Sequence, residues 1–240
     1  MKNKIASLNQ VLEKIEDGQT IMFSGLHGIQ AADEIIDGML EKGVKDITAV
    51  GIAAGNPRDG VGKLITAKRV KKVITSHTGL NPEAIKQMLA GELEVEYVPQ
   101  GTWIERIHAG GAGLGGCLTP TGVGTEVEEG KQKLTIDGKE YLLELPIKAD
   151  VGLFKAWKAD KAGNIKFRLN GLIGHDEMAL ASAFPIFEVD EIVEIGELGP
   201  EDIDIPAPIT GYVYQRKNGI PNSWRTKIEK TIEEKAKGGK

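Results

Sequence analysis

Over its first hundred residues the chain alternates short apolar runs with amphipathic stretches, and that pitch admits few folds. Ile5, Leu8, Leu12 and Ile15 recur at helical spacing, which predicts a helix over 5–16 that Asp17-Gly18 ends. TIMFSGL (20–26) reads as a buried strand, 31–42 as a helix stopped by Gly43, and DITAVGIA (46–53) as the next strand. A glycine loop at 55–62, a strand at 71–77, a helix at 81–91 and a strand at 94–98 continue the series. Strand and helix in this order predict an α/β fold, an open, mostly parallel sheet with helices on both faces.

The rhythm breaks after residue 100. A short helix is expected around 102–109, and eight glycines then fall between 110 and 130. Glycine makes up 31 of the 240 residues, roughly twice the usual share, without a collagen-like period. Such an excess belongs in turns and where backbone must approach something closely. Asp137-Gly138 between two alternating runs is a two-residue hairpin signal. A small glycine-rich, β-hairpin lobe is therefore expected as an insertion around residues 101–148. The α/β pattern returns at 149–159, turns at 161–164, and predicts a helix at 176–184 and a strand at 185–195. Residues 1–220 read as one domain, and 221–240 as a charged C-terminal tail in which a frayed helix is expected.

Thirty basic against 35 acidic residues, a net charge of −5, argue against nucleic acid as a partner. Neither a signal peptide nor a run near the ~18 apolar residues of a membrane span is present, so a cytoplasmic protein without a membrane partner is expected. Cys117 stands alone and His27, His77, His108 and His175 lie far apart, so no metal site is expected. Two loops at strand ends, SGLHGIQ (24–30) and GNPRDGVG (55–62, with Gly60), could turn backbone N–H groups and a helix N-terminus toward an anion. Either could equally be a plain tight turn. Gln100, just past the strand at 94–98, could donate its amide to a developing oxyanion. Glu105 and Arg106 could be an acid–base pair or a structural ion pair, the second being favoured.

The runs GELEVEYVPQGTWIERIHAGGAGLGG, LTPTGVGTEVEEG, FKAWKADKAGNIKFR and EVDEIVEIGELGPEDIDIP resemble the alpha subunit of family I 3-oxoacid CoA-transferases over about residues 4–215. That family includes acetate, butyrate–acetoacetate and succinyl-CoA:3-oxoacid enzymes. The resemblance implies an enzyme that moves CoA between an acyl-CoA and a carboxylic acid, short-chain or 3-oxo, by ping-pong chemistry. Coenzyme A enters as a substrate, with no tightly bound cofactor. The nucleophilic glutamate is expected on a partner beta subunit, since its glutamate-asparagine-glycine context is missing here. Gln100 matches the family's oxyanion donor, and Ser24, Gly25, Leu26, His27, Gly28, Ile29 and Gln30 match its CoA-binding loop.

Two segments depart from the family pattern. Ser24-Gly25-Leu26 stands where the family has Gly-Gly-Phe, and Ile173-Gly174-His175 where it has Asn-Phe-Asn. Both are expected to edge the cleft, and the histidines there suggest a larger or basic acid, or simple drift. Two alternatives remain at this stage: a thioester hydrolase on the same scaffold, and a non-catalytic domain binding a sugar phosphate or similar effector.

Overall fold

A computed structural model describes residues 3–26, 30–169 and 171–217. Its main sheet begins with β1 (Thr20–Phe23), β2 (Ile47–Val50), β3 (Val70–Thr75) and β4 (Glu94–Tyr97), laid side by side in that order and all parallel. On the other side of β1 follow β8 (Ala149–Asp160), β10 (Ser182–Val193) and β11 (Tyr212–Gln215), also parallel. The path is β11-β10-β8-β1-β2-β3-β4, with β9 (Ile165–Lys166) antiparallel on β8.

Both faces of this sheet are buried, as parallel sheets require. The period-two alternation of β1 shows it directly, with Ile21 and Phe23 in one core and Met22 in the other. On the first face lie α1 (Leu8–Leu12), α2 (Asp33–Lys42), α3 (Val61–Thr66) and α4 (Pro82–Leu89). Their Val11, Ile35, Ile36, Met39, Leu64, Ile65 and Ala84 pack there. On the second lie α5 (Gln100–Gly111) and α6 (His175–Leu180), which bring Trp103, Ile107 and Met178 against Phe154 and Phe187. No helix among the described residues is long and apolar enough to cross a membrane.

The expected lobe is a three-stranded antiparallel sheet of β5 (Cys117–Thr119), β6 (Lys133–Ile136) and β7 (Lys139–Glu144) in the order β5-β7-β6. Asp137 (φ 51°) and Gly138 (φ 75°) make its hairpin turn, both in the left-handed region that the primed turns need. Arg106 of α5 fastens the lobe. Its Nε donates to Leu145 O at 2.7 Å, its NH1 meets Glu96 at 2.8 Å, and Glu144 lies 3.9 Å from Nε while pairing with Lys131 at 2.6 Å. At Gly110 the segment that returns from the lobe to β8 passes so close that a Cβ would sit 2.2 Å from Ile147 O. At the sheet's ends, Lys72 of β3 pairs with Glu94 and Glu96 of β4. Residues 4–6 run along β11, exchanging hydrogen bonds with Val213 at 2.9 Å.

Several expected boundaries move. The first helix spans only Leu8–Leu12, and the loop at 55–62 runs into α3. The helix expected at 176–184 is α6, ending at Leu180, and β10 begins at Ser182 and passes through Pro185. Proline is tolerated there because β11 starts pairing one residue later, at Ile186, so no ladder partner awaits its missing N–H. The tail from 221 lies outside the described residues.

Candidate active site

The chain builds β1 to β4 outward on one side, then returns to build β8 to β11 on the other. From β1 it continues to α2 on the first face, and from β8 through β9 to α6 on the second. Between β1 and β8 the order reverses, and the crevice beyond the carboxyl ends of such strands is where open α/β sheets bind ligands.

Ser24 stands in that crevice, buried, at the point where β1 leaves the sheet. Its N–H makes a last ladder bond to Leu153 O at 3.1 Å. Its Oγ accepts the Lys155 N–H at 3.1 Å and donates to Gln30 O at 2.6 Å, joining the two ends of the 24–30 loop. Gly25 (φ 108°) then turns the chain away, and Leu26 is exposed. Gln30 is held at φ 62°. His27, Gly28 and Ile29 lie outside the described residues.

The N-terminus of α2, which the sequence offered to an anion, is already filled. Glu188 of β10 is fully buried beneath it, and its Oε2 accepts the N–H groups of Glu34 and Ile35 at 3.0 and 3.1 Å. Its Oε1 has no hydrogen-bond partner among the described residues. Burial pushes the Glu188 carboxyl up to about 7, against the pull of the Ile35 N–H and Lys155. Lys155, opposite Glu188 in register, pairs with Asp190 at 2.9 Å, and burial lowers its ammonium pKa. Asp33, the first residue of α2, accepts the Gly60 N–H at 3.1 Å and faces Lys63 at 3.1 Å. Gly60 (φ 52°) thus shapes the entry to α3 with its N–H committed inside the protein. The second glycine loop also closes on the protein's own carboxylate.

α5 is the contrast. Asn81 caps α4, but Pro99 leaves α5 without a side-chain cap and without an acid in its first turn. Its first internal bond is Trp103 N–H to Pro99 O at 2.8 Å, so the N–H groups ahead of it point outward. Gln100 opens this helix, exposed, and its carboxamide makes no hydrogen bond among the described residues. The start of α5 thus carries the Gln100 carboxamide beside first-turn N–H groups and a helix dipole that no side chain among the described residues caps.

The segment 171–175 connects the two regions. A Cβ at Gly171 would sit 3.0 Å from Gln30 Nε2, and one at Gly174 would sit 2.9 Å from Ile104 Cδ1. Ile104 lies one turn after Gln100 on the same face of α5. The segment 171–174 therefore touches both Gln30 and the helix that carries Gln100.

His175, expected at the cleft edge, is wholly buried between Phe154 and Phe167, with ring centroids 6.0 and 4.9 Å away. Its Nδ1 accepts the Ile173 N–H at 3.0 Å, and burial lowers its pKa to about 4. A neutral core imidazole offers a substrate no charge, so the basis for a charged site falls away at this residue. It braces the turn instead. Of the two readings of Glu105 and Arg106, the structural one fits Arg106, but with Glu96 and Glu144 as partners; Glu105 is exposed beside His108. Among the described residues no three His, Cys, Asp or Glu side chains gather as metal ligands. Sequence reasoning missed Lys155 and Glu188, which lie 131 residues beyond Ser24 and 154 residues beyond Glu34, the residues they meet, and carry no local signal.

Residues 5–216 match the family model described as Coenzyme A transferase. The chain belongs to the coenzyme A transferase family. Two curated relatives of this CoA-transferase family match over nearly their whole length. The chain is 46% identical over 213 residues to the alpha chain of the acetate CoA-transferase of Escherichia coli K12, covering 89% of this chain and 97% of that one. It is 40% identical over 213 residues to the alpha chain of the acetoacetyl-CoA:acetate/butyrate CoA transferase of Clostridium acetobutylicum, covering 89% of this chain and 98% of that one. An acyl-CoA transferase apoenzyme from Escherichia coli O157:H7 shares the fold, with a TM-score of 0.80 at 20% identity over 90% of this chain. The present chain spans 47% of that longer one. Family membership does not favour the effector-binding alternative.

Proposed function

We propose that this chain is the alpha subunit of a CoA-transferase that exchanges CoA between an acyl-CoA and a short-chain or 3-oxo acid, working with a beta subunit. The observation that carries the reading is Gln100, an unpartnered carboxamide at the uncapped start of α5, in a chain whose relatives are named as alpha subunits. The beta chain supplies the nucleophilic glutamate. In keeping with this, the acids near the crevice are committed: Asp33 to Lys63, Glu188 to α2 and, farther off, Glu144 to Lys131.

The glutamate carboxylate attacks the thioester carbonyl, and CoA thiolate leaves to give an acyl-glutamyl anhydride. The thiolate then attacks the glutamyl carbonyl and expels the first acid as its carboxylate. The resulting glutamyl-CoA thioester is attacked by the second acid in the reverse order. Each addition places negative charge on a former carbonyl oxygen, and Gln100 Nε2–H donates to it. The ends of the 24–30 loop and the Gly60 turn form the CoA side of the cleft, while His175 acts only through the 173–175 turn.

Removing one oxyanion donor costs roughly 100-fold or more in turnover. Gln100→Ala should therefore lower kcat by at least that factor while the variant still co-purifies with the beta chain. Full activity of this variant would sink the assignment. Varying the acceptor acid separates the chemistries: acid-dependent exchange marks a transferase, and acid-independent CoA release a hydrolase.

A further inference from the structure

Lys217, at the end of the described residues, lines two adjoining grooves of about 330 and 210 Å³ beside α1, α2 and the end of β11. Their floor is apolar. Leu8 and Tyr214 belong to both, Ile5 and Ile192 extend the first, and Ile5, Leu8 and Ile192 are only half-buried. One wall of the second groove is α2, which presents Glu34, Asp37 and Glu41 at a spacing that puts all three on one side of the helix. Glu34 accepts the Tyr214 hydroxyl at 2.6 Å and the Lys217 N–H at 3.0 Å, and Asp37 meets Lys63 at 2.7 Å. Glu41 is exposed and has no cation beside it among the described residues. Lys217 is the one cation lining either groove among those residues. An apolar floor under an acidic wall fits an occupant with an apolar stripe bordered by cations.

The chain's own sequence supplies one. Residues 218–240 lie outside the described residues. Of the chain's 30 Lys and Arg and 35 Asp and Glu, they hold six and three, so this segment is net positive while the rest, with 24 against 32, is strongly negative. Ile220, Trp224, Ile228 and Ile232 follow one another every fourth residue, the spacing of a single helical stripe. At 100° per residue Arg225 and Lys235 fall beside that stripe, and Glu233 and Glu234 fall away from it. The lengths agree as well. Glu34 to Glu41 covers about 10 Å of α2, and 224–236 would cover about 18 Å as a helix, beginning within easy reach of Lys217. We propose that the segment 220–236 docks as an amphipathic helix in the groove of its own chain, with Trp224, Ile228 and Ile232 over Leu8 and Tyr214 and its cations along the acidic side of α2.

The test uses the full chain in complex with its beta chain and reads hydrogen exchange and carbodiimide cross-links. Amides of residues 225–235 should exchange at least about tenfold more slowly in wild type than in Ile228→Asp, which sets a charge in the apolar stripe. Glu41→Lys should cut that protection about two- to fivefold, the weight of one exposed ion pair. Zero-length cross-links should join Glu41 to a lysine of the tail, and in a mixture of isotopically light and heavy chains they should stay within one label. Tail amides that exchange as fast in wild type as in Ile228→Asp overturn the proposal. Cross-links from the tail to the beta chain, or between light and heavy copies, overturn it too, since they identify another surface as the one the tail occupies.

Discussion

Glu188 gives the most direct physical test of the structure. Its carboxyl titrates from an ordinary 4.5 in the unfolded chain to about 7 in the folded one. Between those values the folded protein keeps a proton that the unfolded chain has released, so stability falls as pH rises through this window. The loss is complete above about pH 7. A separation of about 2.5 units corresponds to roughly 3 kcal/mol. Glu188→Gln removes the titration and keeps the geometry: the amide oxygen still accepts the N–H groups of Glu34 and Ile35, and the NH2 stands where Oε1 has no partner. Relative to wild type, the variant should therefore gain about 3 kcal/mol on going from pH 4.5 to pH 8. Urea unfolding of both proteins at the two pH values and equal concentration measures this difference, in which all other titrating groups cancel. A gap between variant and wild type that does not change with pH would mean that Glu188 is not buried beneath α2 as described.

His175 carries the opposite sign. Its pKa falls from 6.5 to about 4 on folding, so its contribution is present above pH 6.5 and lost as pH drops toward 4. His175→Asn should show less acid sensitivity than wild type across that range in thermal unfolding. Arg106→Ala should cost about 2–3 kcal/mol, less than an orphaned buried charge because Lys131 still pairs with Glu144. The lobe between residues 112 and 146 should then become the first site of limited proteolysis.

The alternation of β1 to β4 with their helices was legible because each element is local: a run of apolar residues of set period, a cap, a stop. The hairpin at Asp137-Gly138 was legible for the same reason. What could not be read were relations between distant strands. Nothing near residue 33 says that a carboxylate from residue 188 will fill the helix start, and so the loop that looked ready for an anion proves self-satisfied. His175 misled in a related way. Its place in a segment that departs from the family pattern suggests the cleft edge, but Phe154 of β8 and Phe167, just past β9, enclose it. Gln100 could be placed from its position past a strand end, whereas the openness of its helix depended on which other helices were capped.

The two ends of the main sheet bear on how the chain behaves in solution. An unprotected outer strand is a template on which further strands can add without limit. On one side residues 4–6 occupy the hydrogen-bonding edge of β11. On the other, β4 carries Glu94 and Glu96, tied back to Lys72 and Arg106, so that any arriving strand would have to bury fixed charge. With one border occupied by the chain itself and the other posted with ions, neither edge of the seven parallel strands is a bare template for another strand.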